Sequence, residues 1–130
     1  VRHQFSVADT TRIVHEAMRV VQQILGDPNP APPFDEASPE MIASAMDGVK
    51  GVMMEQDLTA EELHQRWVDY KRAEGWTYGP VKDEAGKRHP SMAPWNQLPD
   101  SERRKDVLFM AMVVALTAPL DDDEEENQEE

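Results

Sequence analysis

Cysteine is absent from the 130 residues. That excludes a disulfide scaffold, a thiol nucleophile and any Cys-ligated zinc or iron–sulfur site, and it is compatible with a reducing compartment. Basic charge is scarce, with 13 Lys and Arg against 26 Asp and Glu for a formal net charge of −13. Such a chain lacks the basic surface that grips duplex nucleic acid or adheres to an anionic membrane, so neither partner is expected. Long apolar runs are missing as well. The most apolar stretch, residues 107–116, is roughly half of a bilayer span and reads as a buried helix. The first thirty residues hold no basic segment leading into an apolar run, so a secretory leader is not expected and a cytoplasmic location is.

Catalytic signatures are equally thin. The six glycines stand singly, never as a phosphate-cradling G-x-G or G-x-x-x-x-G-K loop. His15-Glu16 does not extend to the H-E-x-x-H of a zinc protease, because Arg19 stands where the second histidine would. No serine lies in a G-x-S-x-G elbow, and the four histidines show no ligand spacing. The expectation is a protein without enzymatic activity, metal or cofactor; an enzyme would need an acid, a base and a pocket that spacing does not reveal.

The chain does have enough apolar residues, 39% against 30% charged, for one small globular domain. Its acid is uneven. Residues 121–130 carry eight acids and no base, whereas residues 59–120 carry nine of each. The expected organisation is therefore a domain over 1–120 and an acidic tail over 121–130. A self-repelling run with nothing to bury should be disordered, acting as a solubilising tail or as a dock for a basic partner.

Four helices are expected. Asp9 or Thr10 caps the first, which runs to Leu25 with Ile13, Ala17, Val20, Val21 and Ile24 at helical spacing and Gly26 as its stop. Five prolines between Pro28 and Pro39 make the next segment a stiff extended crossing, pinned by Phe34. Ser38-Pro39 starts a second helix through Ile42, Ala45, Met46, Val49 and Met53. Thr59 and Glu62 form a capping box for a third, which Gly75 ends. A short irregular β-hairpin follows over 76–88, then a proline-punctuated loop from His89 to Pro99, then a fourth helix from Asp100 or Ser101 to about Thr117. The fold class is mainly α.

The third helix carries the clearest chemical pattern. Leu63, Trp67 and Tyr70 share one narrow stripe, with His64 and Lys71 flanking it on one side. An indole beside an imidazole and an ammonium suits a planar anionic ligand such as a nucleotide, the ring stacking on the base and the cations facing phosphate. Periodicity favours the plainer alternative, in which Trp67 is a core anchor and the two cations are solvated. Trp76, Tyr78 and Trp95 add aromatic surface near the hairpin, where Lys82, Lys87, Arg88 and His89 form a local positive cluster. These rings either pack the hairpin onto helices three and four or rim a pocket. His15, Glu16 and Arg19 share a face of the first helix, as a second polar site or as plain surface.

Residues 63–106 resemble the ryanodine receptor repeat, the RyR domain. Its H-x-x-W, the basic residue four beyond that Trp, and G-W-x-Y-G-x-x-x-D correspond to His64 and Trp67, Lys71, and Gly75-Trp76-Thr77-Tyr78-Gly79 with Asp83. The K-x-H-P element, the aromatic and the L-P-x-x-x-[KR] helix start correspond to Lys87-Arg88-His89-Pro90, Trp95, and Leu98-Pro99 with Arg103. Where many relatives read H-P-C-L-V-P-Y, this chain reads His89-Pro90-Ser91-Met92-Ala93-Pro94-Trp95. The flanks are similar to small stand-alone bacterial and phage members, extending the likeness over most of 10–118. The resemblance implies a helical, non-catalytic domain that recognises a nucleotide-derived ligand. It implies a homodimer as well, with the His64–Trp67–Lys71 faces opposed so that two Trp67 rings clamp an adenine-like base. Trp76, Tyr78, Arg88 and His89 would rim that site.

Overall fold

The computed structural model describes residues 2–55 and 57–120. Its four helices follow from local chemistry at their starts. Helix α1 (Val7–Ile24) begins three residues earlier than an Asp9 cap, and four earlier than a Thr10 cap, would set it, because Ser6 takes the capping position and its hydroxyl accepts from the Asp9 amide at 3.1 Å. Helix α2 (Pro39–Met54) has Ser38 as its cap and Pro39 at its first position. Helix α3 (Ala60–Ala73) carries the full capping box, Thr59 and Glu62 each bonding the other's amide. Gly75, at φ +94°, turns the chain out of α3 in a left-handed conformation that a side chain would strain. Helix α4 (Asp100–Leu116) starts behind Pro99 without a side-chain cap.

The helices close around Val14, Val49, Val52, Leu63 and Val113, with Met18, Phe109, Met110 and Met112 packed alongside. Arg66 clasps α3 to α2: its guanidinium donates to both carboxylate oxygens of Asp47, at 3.1 and 3.2 Å, and lies over Gly51 where a larger residue would collide. The two ends of the domain meet in an antiparallel bridge between His3 and Pro119. The acidic tail lies outside the described residues.

Two expectations need correction. The apolar stripe of α1 does not face the core: Ile13, Val20 and Ile24 are exposed, while Thr10, Thr11 and Val14 are buried. The polar face of α1 is turned inward because it satisfies the backbone of the proline-rich crossing. His15 donates to the Pro32 carbonyl at 2.7 Å, Gln22 accepts from the Ala31 amide at 2.7 Å, and Glu16 accepts from the Phe34 amide at 3.4 Å. A segment rich in proline cannot pair its own backbone, so its polar groups need side chains from elsewhere. His15 and Glu16 are therefore ties, and Phe34 packs edge-on to His15.

The second correction concerns the β segment. Strands β1 (Thr77–Tyr78) and β2 (Arg88–His89) do form between α3 and α4, but they pair parallel, Thr77 opposite Arg88 and Tyr78 opposite His89. A single hairpin reversal would make them antiparallel. Here the chain reverses twice: once after Gly79-Pro80, and again in a tight turn closed by paired Asp83 and Arg88 backbone bonds at 2.9 Å each. Lys87 holds the second turn at φ 53°, and its ammonium donates to the Glu74 carbonyl at 2.7 Å, tying the turn to the end of α3.

Gly79 is what allows the strands to approach. A Cβ there would sit 2.7 Å from Arg88 Cβ, an atom fixed by the strand backbone. Gly79→Ala is expected to destabilise the domain by about 1–3 kcal/mol in urea unfolding. Gly26→Ala meets no neighbour and pays only for its left-handed backbone, about 1 kcal/mol.

Candidate functional site

Trp67 projects from the middle of α3 and is only half-buried. His64, one turn earlier, stacks on it with ring centres 5.9 Å apart and planes at 28°. On another side the His89 ring stands edge-on at 5.0 Å. Beneath lies a second apolar cluster of Val68, Trp76 and Met92 against which Trp67 packs. The indole is thus held by its neighbours without being sealed by them.

Two cavities open beside this ring. The first, about 370 Å³, runs between the inward face of α1 and the Trp67 side of α3. Met18, Arg19 and Gln22 form one wall, and Trp67, Lys71, Trp76 and His89 contribute to the other. The second, about 630 Å³, lies toward the start of α4 and is lined by His64, Trp67, Lys82, His89, Glu102 and Lys105. Trp67, Lys82, His89, Asp106 and Phe109 border both.

The cations differ in how free they are. Lys71 lies 5.2 Å over the Trp76 ring, and among the described residues no hydrogen bond or ion pair ends on its ammonium. Burial pulls its pKa below the ordinary lysine range, with Lys82 adding to the effect and Glu74, Glu40 and Glu84 opposing it. Lys82 is only loosely engaged, 3.6 Å from Glu84. Arg19 reaches the first cavity with one long contact, 3.4 Å to Glu16.

The sequence-derived site divides accordingly. Trp67, Lys71, Trp76 and His89 come together at the first cavity. His64 is buried and its Nε2 donates to the Ala93 carbonyl at 2.7 Å, so it serves to hold α3 to the 89–98 loop and to support Trp67. Tyr78 and Arg88 are exposed and line neither cavity; Arg88 instead donates to the Thr77 hydroxyl across the strand pair. His89 is neutral at pH 7: burial, then the Lys82 and Lys71 ammonium groups, push its pKa down to about 4.

Asp106 is the group that sequence reading passed over. It stands on the inward stripe of α4, in line with Phe109 and Val113, and its side chain is 31% exposed. A lone acid on an apolar helical stripe was the available signal. Burial first, and Glu102 second, push its carboxyl up to about 7, with Lys105 opposing. No group of three or more His, Asp or Glu among the described residues is placed to hold a metal ion, and no described helix is long and apolar enough to cross a membrane.

A small helical bundle with a parallel two-residue ribbon between its last two helices, and a half-open tryptophan beside a cavity, defines a class of compact helical domain. The RyR domain family model matches residues 49–117, more than half of the chain, and the protein belongs to that family. The match begins within α2 and takes in Trp67, Lys71, Trp76, His89 and Asp106; α1 and the proline-rich crossing lie before it.

Because Asp106 keeps its proton in the folded state well above the pH at which it loses it when unfolded, the native chain loses stability as pH rises from about 4 to about 7. Asp106→Asn is expected to match the parent below pH 4 and to exceed it above pH 7. Allowing for solvent access to this side chain, the gain is on the order of 2 kcal/mol, read by denaturant unfolding across pH.

Proposed function

We propose that this RyR domain is a non-enzymatic recognition module for a nucleotide-derived small molecule. One observation carries the reading: the Trp67 indole faces open cavity volume within the same protomer that presents the unpaired Lys71 ammonium. A stacking ring takes the base, and Lys71 with Lys82 takes the phosphate, in a chain whose overall charge would otherwise repel it. Support for binding over pure packing comes from energetics. A desolvated ammonium without a carboxylate partner lowers stability, and an arriving anion would relieve that cost. His64 acts through Trp67 in this reading, because its Nε2 is committed to Ala93.

Calorimetry of the full chain against mononucleotides, ADP-ribose derivatives and cyclic dinucleotides tests it. At least one class should bind, and Trp67→Ala should weaken that binding by about 10- to 100-fold while the protein stays folded. Lys71→Met should weaken it and flatten its salt dependence. No binding across the panel, or binding indifferent to Trp67, refutes the proposal.

A second reading, self-association as an interaction module, is favoured by the outward faces of α1 and α4. Val107 and Val114 are 54% and 59% exposed on α4, and Val20 and Ile24 are 47% and 76% exposed on α1. The α4 stripe through Val107, Ala111, Val114 and Ala115 holds no charge that would select a different partner, so a second copy of the chain is its assigned occupant. A dimer built there leaves the Trp67 cavity to each protomer, with α1 as its opposite wall. Val107→Lys with Val114→Lys should halve the mass measured by light scattering and leave nucleotide binding intact; a parent chain that is monomeric at high micromolar concentration rejects this reading.

A further inference from the structure

Asp106 has a position that packing does not explain. It borders both cavities beside Trp67, and among the described residues no hydrogen bond reaches its carboxyl. The one ion-pair-range neighbour of that carboxyl among the described residues is His64 Nδ1 at 3.8 Å, beyond hydrogen-bond length. The adjacent cation, Lys105, is drawn away to Glu102 at 2.9 Å and Asp27 at 4.0 Å. A carboxyl partly shielded from water, with its side chain 31% exposed toward the cavities and no protein donor on it, is open to a ligand donor.

His89 supplies the complementary half. Its Nδ1 accepts the Ser91 amide at 3.0 Å, which places the proton of the neutral ring on Nε2. Among the described residues that N–H has no partner, and the ring stands against the Trp67 indole on the border of both cavities. An acceptor and a donor beside one stacking face match an edge that offers a donor next to an acceptor. A 6-aminopurine has that edge: its exocyclic amine donates, and its neighbouring ring nitrogen accepts.

Resting on the nucleotide reading above, we propose that Asp106 and His89 read the edge of the base stacked on Trp67 and select a purine bearing an exocyclic 6-amino group. The Asp106 carboxylate accepts from the amine, and His89 Nε2–H donates to the ring nitrogen beside it. Lys71 and Lys82, whose ammonium groups act on His89 and border the first cavity, would meet the phosphate. The titratable and charged groups facing Asp106 are His64 from α3, Glu102 and Lys105 from α4, His89 from β2, and Lys82 and Asp27 from the loops bordering the second cavity. An amine donor favours the ionised carboxyl, so binding should expel the proton that Asp106 holds near neutrality and strengthen as pH rises from 6 to 8.

The probes are adenosine 5′-monophosphate and purine riboside 5′-monophosphate, which differ only in the amine, titrated by calorimetry into the full chain. The expected result is about tenfold tighter binding of the amino nucleotide, roughly the value of one hydrogen bond to a charged group. Asp106→Ala should erase that preference and leave the des-amino nucleotide unchanged. Asp106→Asn, which keeps an amide oxygen, should restore part of it, and His89→Leu should weaken both nucleotides. Removal of a half-buried acid with no hydrogen bond to it among the described residues is not expected to unfold the domain, and the Asn variant guards against the case where alanine does.

Equal binding of the two nucleotides to the parent, a preference that survives Asp106→Ala, or affinity that stays level or falls from pH 6 to 8 overturns the assignment. If both nucleotides bind equally and Trp67→Ala weakens both, only the edge-reading proposal fails. If neither binds the folded parent, the assignment falls with the nucleotide reading beneath it.

Discussion

The hydrogen bond from His64 Nε2 to the Ala93 carbonyl, 2.7 Å long and buried, is the contact on which the site is built. It joins α3 to the loop that leads into α4, two segments 29 residues apart along the chain. Because the ring is anchored at one nitrogen and stacked on Trp67, it limits the rotamers the indole can adopt. The same imidazole lies 6.0 Å from the Trp95 ring, so the one-turn helix at Trp95–Gln97 is placed by it too. In a protein with so few ordered strand contacts, a single well-made buried polar bond does much to decide which loop conformation prevails.

Around that anchor the first cavity is bordered by half-buried ionisable groups. Lys71, His89 and Asp106 all border the first cavity, and each is displaced from its ordinary titration range chiefly by loss of water. The shifts run in the direction that removes charge: the lysine and histidine are pushed down, the aspartate up. Under the nucleotide reading, arrival of an anion or a donor would reverse the effect of burial. Ion pairs elsewhere, such as Arg12–Asp35 and Arg104–Asp100, are exposed and carry no comparable tension.

The boundaries of α2 and α3 were the most legible part of the structure. Ser38-Pro39, Thr59 with Glu62, and Gly75 act locally, through bonds to residues three or four positions away, and local chemistry is readable in one dimension. The orientation of α1 was not legible, since periodicity detects a stripe but not which side the partner occupies. There the unmet backbone of the proline crossing outweighed the burial of Ile13, Val20 and Ile24. The direction of strand pairing depended on counting reversals, and the second one rests on the left-handed backbone of Lys87, a residue type that seldom announces a turn. At the site, the aromatic and cationic positions were visible at helical spacing. The tie from His64 to the Ala93 carbonyl was not visible, because a buried imidazole and a ligand-facing one look identical in a sequence.

The cavity is shared between two stretches of chain with different histories in the sequence. One wall comes from α3, β2 and α4, inside the matched span of 49–117; the other comes from α1 and the first half of α2, outside it. The recognisable motif and the enclosing chamber are therefore not the same object. A fragment trimmed to the motif would keep every familiar residue and lose the roof over them, so such a fragment would be a poor proxy for what the whole chain can hold.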